Sequence, residues 1–272
     1  MLHVAVIGLG WWGKTIVRTL EGSSKLRVVR AVDRDAAAAD WAAQRGLRAS
    51  SDIADALGDP QVAAVILCTP HTQHTAQIAE AAAAKKHVFC EKPLALRRAD
   101  VEQSIGLCNA NGVVLAVGHE RRFEPPIQEM KRTVTVGELG TILQIEANFS
   151  QDKFLSLAAD NWRLSASEAP AGPMTATGIH MLDLAVSLLG PAERAFAVAR
   201  RLGSELANGD TLGALVSFKS GANLLLSAML ATPFDGRLAV YGTKGWAEVR
   251  DKAHPESPEG WVLTTCFSGG KP

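Results

Sequence analysis

The 272-residue sequence has no excess of either charge, 28 lysines and arginines meeting 28 aspartates and glutamates. Without a net field nothing draws the chain to nucleic acid or anionic lipid, so a small-molecule partner is expected. Cysteine is scarce: Cys68, Cys90, Cys108 and Cys266 form no CxxC pair and no disulfide framework, which fits reduced thiols in a cytoplasm. Long apolar runs are missing too, and the opening Met1-Leu2-His3-Val4 lacks a basic leader region, so a soluble, unexported, cytoplasmic protein is expected. No internal repeat or low-complexity tract appears. What is present is 47% hydrophobic against 21% charged content, which lies in the globular range and excludes disorder. The length exceeds the roughly 250 residues at which single cores tend to split, so two domains are expected.

From residue 2 to about residue 117, short β-branched runs alternate with Ala-rich helical stretches, the pattern of a parallel sheet covered on both faces. Strands are expected at 3–7, 26–32, 62–68, 87–90 and 113–117, with a weak one near Arg48. Ser51 and Asp52 carry N-capping chemistry for a short helix, and Asn111-Gly112 is a helix stop whose glycine takes positive φ. After Arg121 the character changes to a helix at 126–133, a turn at Gly137, a long strand at 139–149 and a loop over 151–172. Pro173 then opens a helix that Gly190-Pro191 stops. Strands at 195–201, 212–218, 222–230, 237–241, 246–249 and 261–267 follow through glycine-containing turns, as in an antiparallel sheet. The fold class is therefore α/β, with a doubly wound parallel sheet over 1–118 and an α+β domain with a large, mostly antiparallel sheet over 119–272. Within 223–230 apolar residues fall at both odd and even positions, so both faces of that strand are expected to be covered, one by helices and the other by a second subunit.

Gly8-Leu9-Gly10-Trp11-Trp12-Gly13 follows the first strand directly and leads into a helical pattern, with glycines at the three positions of a Rossmann dinucleotide fingerprint. The first permits a tight turn, the second lets backbone approach a pyrophosphate, and the third lets helix and strand pack. Asp33 ends the second strand, 33 − 13 = 20 residues past the last glycine, where a carboxylate accepts hydrogen bonds from ribose hydroxyls. This spacing favours NAD, while Arg34 beside it keeps NADP open by offering a partner to a 2′-phosphate. Gly8, Gly10, Trp11, Trp12, Gly13, Asp33 and Arg34 thus form the first part of the expected cofactor site.

Thr69-Pro70-His71-Thr72-Gln73-His74 leaves the fourth strand and Glu91-Lys92-Pro93 the fifth, both at strand carboxyl ends, where open α/β sheets bind ligands. Together with the fingerprint, Arg122-Phe123, Trp162-Arg163 and Gly178-Ile179-His180-Met181-Leu182-Asp183, these segments resemble the ordered motifs of the Gfo/Idh/MocA oxidoreductases, the family of inositol dehydrogenase and glucose-fructose oxidoreductase. The resemblance spans nearly the whole chain, and Gly242-Thr243-Lys244-Gly245-Trp246 is similar to the family's late-sheet motif. It implies hydride transfer between a nicotinamide cofactor and a hydroxylated small molecule: a sugar, polyol or cyclic diol. It also implies that Thr69, Pro70, His71, His74, Glu91 and Lys92 complete the cofactor site, His74 lying beside the nicotinamide ribose.

By the same resemblance Lys92 binds the reacting hydroxyl and takes part in its proton transfer, and a cis Lys92-Pro93 bond is expected. Desolvation and a nearby nicotinamide cation both disfavour a charged amine, which suits such a base. Read alone, a lysine after a strand is most often a solvated charge, and His180, mid-helix on an apolar face, a hydrogen-bonded core histidine. The resemblance makes His180 the substrate-side histidine, with Asp183 structural and Arg122, Trp162 and Arg163 lining a substrate cleft. Many members carry an aspartate four residues before the histidine; here that residue is Ala176, and Thr175 and Thr177 offer hydroxyls to orient water or substrate instead. This departure admits a second reading, a noncatalytic dinucleotide-binding protein, and the resemblance itself admits a third, the family's rarer NAD-assisted glycoside cleavage. His71 and His74 stand at a metal-compatible spacing, but no third ligand is identifiable and no metal is expected.

Overall fold

The structure, a computed structural model, describes residues 1–270 and divides into two compact units, Met1–Gly118 and His119–Pro272. The first unit runs β1 (Leu2–Ile7), α1 (Trp11–Leu20), β2 (Leu26–Val32), α2 (Ala36–Ala43), β3 (Arg48–Ser50), α3 (Ile53–Leu57), β4 (Ala64–Leu67), α4 (His74–Ala83), β5 (His87–Cys90), α5 (Arg98–Asn111) and β6 (Leu115–Val117). Its strands pair in parallel in the order β3-β2-β1-β4-β5-β6. The order reverses between β1 and β4, the switch point at which such sheets open a crevice outside their carboxyl ends.

Strand geometry explains how both faces are covered. Ala5 and Ile7 of β1 join an apolar cluster with Ile78, Ala81 and Ala82 of α4. Val4 and Val6, pointing the other way, join a second cluster with Val17 of α1 and Ala38 and Ala42 of α2. Alanine on the inner helix faces lets these helices lie close on the β-branched strands. Asp52 caps α3 by accepting the Ala54 N–H at 2.9 Å, and Gly112, with φ of 66°, closes α5 as its position predicts.

The second unit starts with a 3-10 turn (Glu120–Phe123), then α6 (Pro125–Thr135), β7 (Ile142–Ser150), 3-10 turns at Lys153–Ser156 and Trp162–Leu164, a π-turn (Met174–Gly178) and α7 (Ile179–Leu189). β8 (Ala192–Arg200), β9 (Thr211–Phe218), β10 (Asn223–Met229), β11 (Asp235–Gly242), β12 (Gly245–Asp251) and β13 (Trp261–Phe267) follow. The sheet order is β13-β12-β11-β7-β10-β9-β8, antiparallel throughout except where β7 pairs with β10. Met181, Leu184 and Ala185 of α7 pack on Ile145 and Phe149 of β7, Leu224 and Leu226 of β10, and Leu238 and Val240 of β11.

One expectation is corrected here. The helix opened by Pro173 is not regular from its start, because its first turn widens into the π-turn and α-helical geometry begins at Ile179. The Thr175 and Thr177 hydroxyls donate to the Gly172 and Pro173 carbonyls at 3.3 and 3.1 Å, competing for acceptors of the ordinary helical ladder. On β10, Leu224, Leu226 and Ala228 are buried under the helices, while Leu225 points to the other face and is 42% exposed. Register sets Phe196 of β8, Leu215 of β9 and Leu225 side by side on that outer surface. Among the described residues no helix is long and apolar enough to cross a membrane.

A buried carboxylate organises the loop before β9. Asp210 accepts the N–H groups of Leu202 and Gly203 at 2.9 and 2.8 Å and the Ser204 hydroxyl at 2.7 Å. In the same loop Asn208 donates to the carbonyls of Arg163 and Ala169 at 2.8 and 3.0 Å, which pins the 161–172 segment. Burial alone would raise the Asp210 carboxyl, but its donors outweigh burial and hold it below its ordinary value. A lowered native value means the stabilisation is complete above the unfolded carboxylate range and is lost as pH falls through the native value. Asp210→Ala is therefore expected to cost about 3 kcal/mol in urea unfolding at pH 7 and to flatten the acid limb of stability against pH. An unchanged midpoint at pH 7 would contradict this role.

Candidate active site

The hydrogen-bond ladder of the parallel sheet continues one residue past the strands. Asp33, Gly8, Cys68, Glu91 and Gly118 donate their N–H groups to the carbonyls of Ser50, Val32, Ile7, Leu67 and Cys90, at distances between 2.8 and 3.1 Å. This row brings the fingerprint turn, the residues after β4 and the Glu-Lys-Pro segment after β5 to one edge of the sheet.

The three glycines meet different surroundings. Gly8 has φ of 90°, and a Cβ there would lie 2.8 Å from the Cys68 carbonyl carbon. A Cβ on Gly13 would fall 1.9 Å from the Gly8 oxygen, so α1 leaves the strand only because that position is bare. A Cβ on Gly10 would meet no atom within 4 Å beyond its chain neighbours and its own helix, and no side chain caps α1 at this residue. Open space over an uncapped helix N-terminus suits a pyrophosphate. Trp12 sits beside it with Nε1 buried and without a partner among the described residues, its ring 5.2 Å from that of the half-exposed Trp11.

Asp33 Oδ2 accepts the Leu9 N–H at 2.5 Å, and Oδ1 accepts the Asp35 N–H at 2.9 Å. The carboxylate thus braces the glycine turn, and each oxygen retains a lone pair for a ribose hydroxyl. Arg34 is exposed next to it. These residues fit a dinucleotide.

After β4, Thr69 donates from Oγ1 to Gln77 Oε1 at 2.6 Å, and Pro70 precedes a 3-10 turn (His71–Gln73) that carries the buried His71. His74 is 0% exposed, with Nδ1 2.9 Å from the Pro93 carbonyl oxygen and Nε2 3.0 Å from that of Thr69. Placed at the start of α4, it ties the backbone after β4 to that after β5. No group of three His, Cys, Asp or Glu side chains is placed to hold a metal ion among the described residues.

The Lys92-Pro93 peptide is cis, as the motif implies. Glu91 is buried, its Oε2 3.3 Å from the Lys92 N–H, and a Cβ on Gly118 would meet its carboxylate at 2.7 Å. Cys68 and Cys90 line the same edge, and burial, reinforced by the Glu91 charge, pushes both thiols well above their ordinary range.

In the second unit, His180 is buried on the first turn of α7, its ring 5.8 Å from that of Phe149 on β7. Its Nδ1 lies 3.5 Å from Oε1 of Glu120, a residue the sequence reading passed over. Arg122, expected to offer its fork to substrate, spends two nitrogens on Asp183: Nε reaches Oδ2 at 2.6 Å and Nη2 reaches Oδ1 at 2.5 Å. Asp183 thereby takes the structural role expected of it, with His119 Nε2 also 3.7 Å from Oδ1. Arg121, likewise missed, is buried, with Nη2 2.8 Å from both Asp251 oxygens and Nε 3.1 Å from Glu124. Desolvation opposes its charge, but the two carboxylates prevail and raise it above the ordinary arginine value. The signal available in the sequence was the unbroken charged run Glu120-Arg121-Arg122 at the start of a domain.

Trp162 and Arg163 are half-buried in their 3-10 turn, the guanidinium 4.3 Å above the indole and the turn capped by Asn161 Oδ1 on the Arg163 N–H at 3.0 Å. Thr175 and Thr177, expected to orient water or substrate, instead turn their hydroxyls to the backbone of the π-turn. Ala176 between them brings no carboxylate to His180.

The glycine geometry separates folding from binding. Gly10→Ala is expected to melt like the parent yet bind NAD at least about tenfold more weakly in calorimetry, because its methyl enters the open space alone. Gly13→Ala should lower the melting temperature before any ligand is added. Unaltered NAD affinity in Gly10→Ala would contradict the placement of the pyrophosphate.

Comparison with known proteins agrees with this geometry. A model described as the oxidoreductase family, NAD-binding Rossmann fold, matches residues 2–119, and one for the Gfo/Idh/MocA C-terminal domain matches residues 127–248. An uncharacterized oxidoreductase of Bacillus subtilis, YrbE, is 29% identical over 271 residues, 96% of this chain and 76% of the relative. Myo-inositol 2-dehydrogenase of Thermotoga maritima is 32% identical over 207 residues, 73% of this chain and 59% of the relative. Aldose-aldose oxidoreductase from Caulobacter crescentus, crystallised with glycerol, superposes with a TM-score of 0.89 at 27% identity, covering 100% of this chain and 82% of that one. With a fingerprint turn built for a dinucleotide in one unit and the family's own C-terminal domain in the other, the chain belongs to the Gfo/Idh/MocA family of NAD-binding oxidoreductases.

Proposed function

We propose that this protein interconverts a hydroxyl and a carbonyl on a polyol, sugar or cyclic diol with NAD, NADP being the less favoured cofactor. The observation that carries the reading is the hydrogen-bonded row that puts Lys92, in its Glu-Lys-Pro segment, on the same sheet edge as the glycine turn and Asp33. The names of the inositol dehydrogenase and the aldose oxidoreductase support the substrate class. When bound, the dinucleotide supplies the hydride acceptor or donor. Lys92, as a neutral amine, takes the hydroxyl proton during oxidation and returns it to the carbonyl oxygen in reduction. His180 hydrogen-bonds the reacting or adjacent hydroxyl, and Trp162 and Arg163 contribute to substrate binding. Because Asp183 occupies two nitrogens of Arg122, a neutral polyhydroxylated substrate is favoured over a carboxylate.

Lys92→Ala is expected to retain NAD affinity while reducing turnover by about two orders of magnitude or more, read as reduced-nicotinamide absorbance against inositols, aldoses and cyclic diols. Turnover at the parent rate would remove Lys92 from the proton path. If the parent binds NAD in calorimetry yet is inert to the whole panel, the second reading, a noncatalytic dinucleotide-binding protein favoured by Ala176, replaces this one.

We also propose a cytoplasmic location, supported by four free cysteines, and a homo-oligomer formed through the outer face of the second sheet. That face combines the exposed row Phe196, Leu215 and Leu225 with charges of both signs, Arg237 holding Glu146 and Glu248. A twofold interface must complement itself, and a surface carrying both signs beside apolar side chains does so. Light scattering is expected to show Phe196→Glu with Leu225→Glu shifted to smaller species; an unchanged mass would move the interface elsewhere.

A further inference from the structure

We propose that the indole N–H of Trp12 donates a hydrogen bond to a pyrophosphate oxygen of the bound dinucleotide, so that a side chain joins the backbone of the glycine turn in holding the cofactor. The inference rests on the NAD-binding reading of this turn and goes beyond it, because the fingerprint asks for glycines and backbone and for no side-chain donor between them. A tryptophan is not what shapes the turn. Gly8 and Gly13 do that, by lying bare against the Cys68 carbonyl and the Gly8 oxygen.

The first observation is a donor without an acceptor. Nε1 of Trp12 is buried and has no partner among the described residues. Such an N–H costs stability when unmet, and buried tryptophans usually satisfy it. Acceptors of the same turn are engaged elsewhere: the Gly10 carbonyl receives the Lys14 N–H at 3.1 Å, the Trp11 carbonyl the Thr15 hydroxyl at 3.0 Å, and the Asp33 carboxylate the N–H groups of Leu9 and Asp35. The second observation is a helix end left to an anion. α1 is ten residues long, no side chain caps it, and its first turn holds no acidic residue. A helix N-terminus carries partial positive charge, and one kept clear of carboxylates suits a phosphate. Trp12 is the second residue of this helix, its ring 5.2 Å from that of Trp11. One oxygen-rich, anionic ligand therefore answers both the bare helix end and the unmet indole.

Calorimetry and nitrogen–proton NMR of the indoles on the full chain, with NAD, ADP-ribose and adenosine as probes, test the bond without an activity assay. Trp12→Phe keeps an aromatic ring and removes the donor. It is expected to bind NAD and ADP-ribose about tenfold more weakly than the parent and to leave adenosine binding unchanged. Its melting temperature without ligand should equal or exceed the parent's, because an unmet buried donor is gone; a tryptophan kept for packing would show the reverse, a lower melting temperature at unchanged affinity. In the parent, the Trp12 Nε1–H signal, assigned through its backbone, should move downfield with ADP-ribose as with NAD and stay in place with adenosine. Equal affinity of parent and Trp12→Phe for ADP-ribose, or a Trp12 signal that saturating ADP-ribose leaves in place, would overturn the proposal while the cofactor reading stands. If the parent binds neither NAD nor ADP-ribose, the cofactor reading fails and the inference falls with it.

Discussion

One row of backbone hydrogen bonds carries the cofactor half of this protein. Each donor is the N–H of the first residue beyond a strand, and each acceptor is the last or near-last carbonyl of the neighbouring strand. The row extends strict parallel register into what would otherwise be loop, so Asp33, Gly8, Cys68, Glu91 and Gly118 are spaced like residues within the sheet. The side-chain requirements follow. Gly8 must be bare because Cys68 is one strand spacing away, and Gly118 because the Glu91 carboxylate is. The chemistry attributed to Lys92 is hung on this backbone and not on a flexible loop, and His74 adds a second tie between the segments after β4 and β5.

In the second unit the comparable organiser is the turn Glu120–Phe123. With three residues per turn, a 3-10 segment sends successive side chains in three directions, so three consecutive charged residues address three targets without crowding. Arg121 is the costly member. A buried guanidinium survives because two carboxylates meet it, and the same burial pushes Glu124 up even as Arg121 draws it down. The π-turn before α7 serves the same end from the other side. By delaying helical geometry to Ile179 it sets the rotation of His180 about the helix axis.

Much of the fold was legible because its signals are local. The β-branched runs, Asp52 as a cap, Gly112 as a stop and the glycine fingerprint each act within a few residues of themselves. The site was legible where a motif fixes backbone, as at Gly8, Gly13, Asp33 and Lys92. It was not legible where the partner is distant in sequence: Glu120 finds His180 sixty residues on, Arg122 finds Asp183, and Arg121 finds Asp251. Nothing in the residue types distinguishes a guanidinium kept for substrate from one committed to a helix. His74 illustrates a related ambiguity, since a motif position marks proximity to a cofactor edge and does not say whether the ring faces outward or seals the backbone behind it.

The two sulfurs at the sheet edge bear on how the protein tolerates oxidants. Thiolates attack peroxides and disulfides, and a thiol held protonated by burial and a neighbouring carboxylate presents almost no thiolate. Cys68 and Cys90 therefore stand next to a hydride-handling cofactor site without forming a redox couple of their own. The Glu91 charge beside the Lys92 segment thus adds to burial in keeping these two sulfurs protonated.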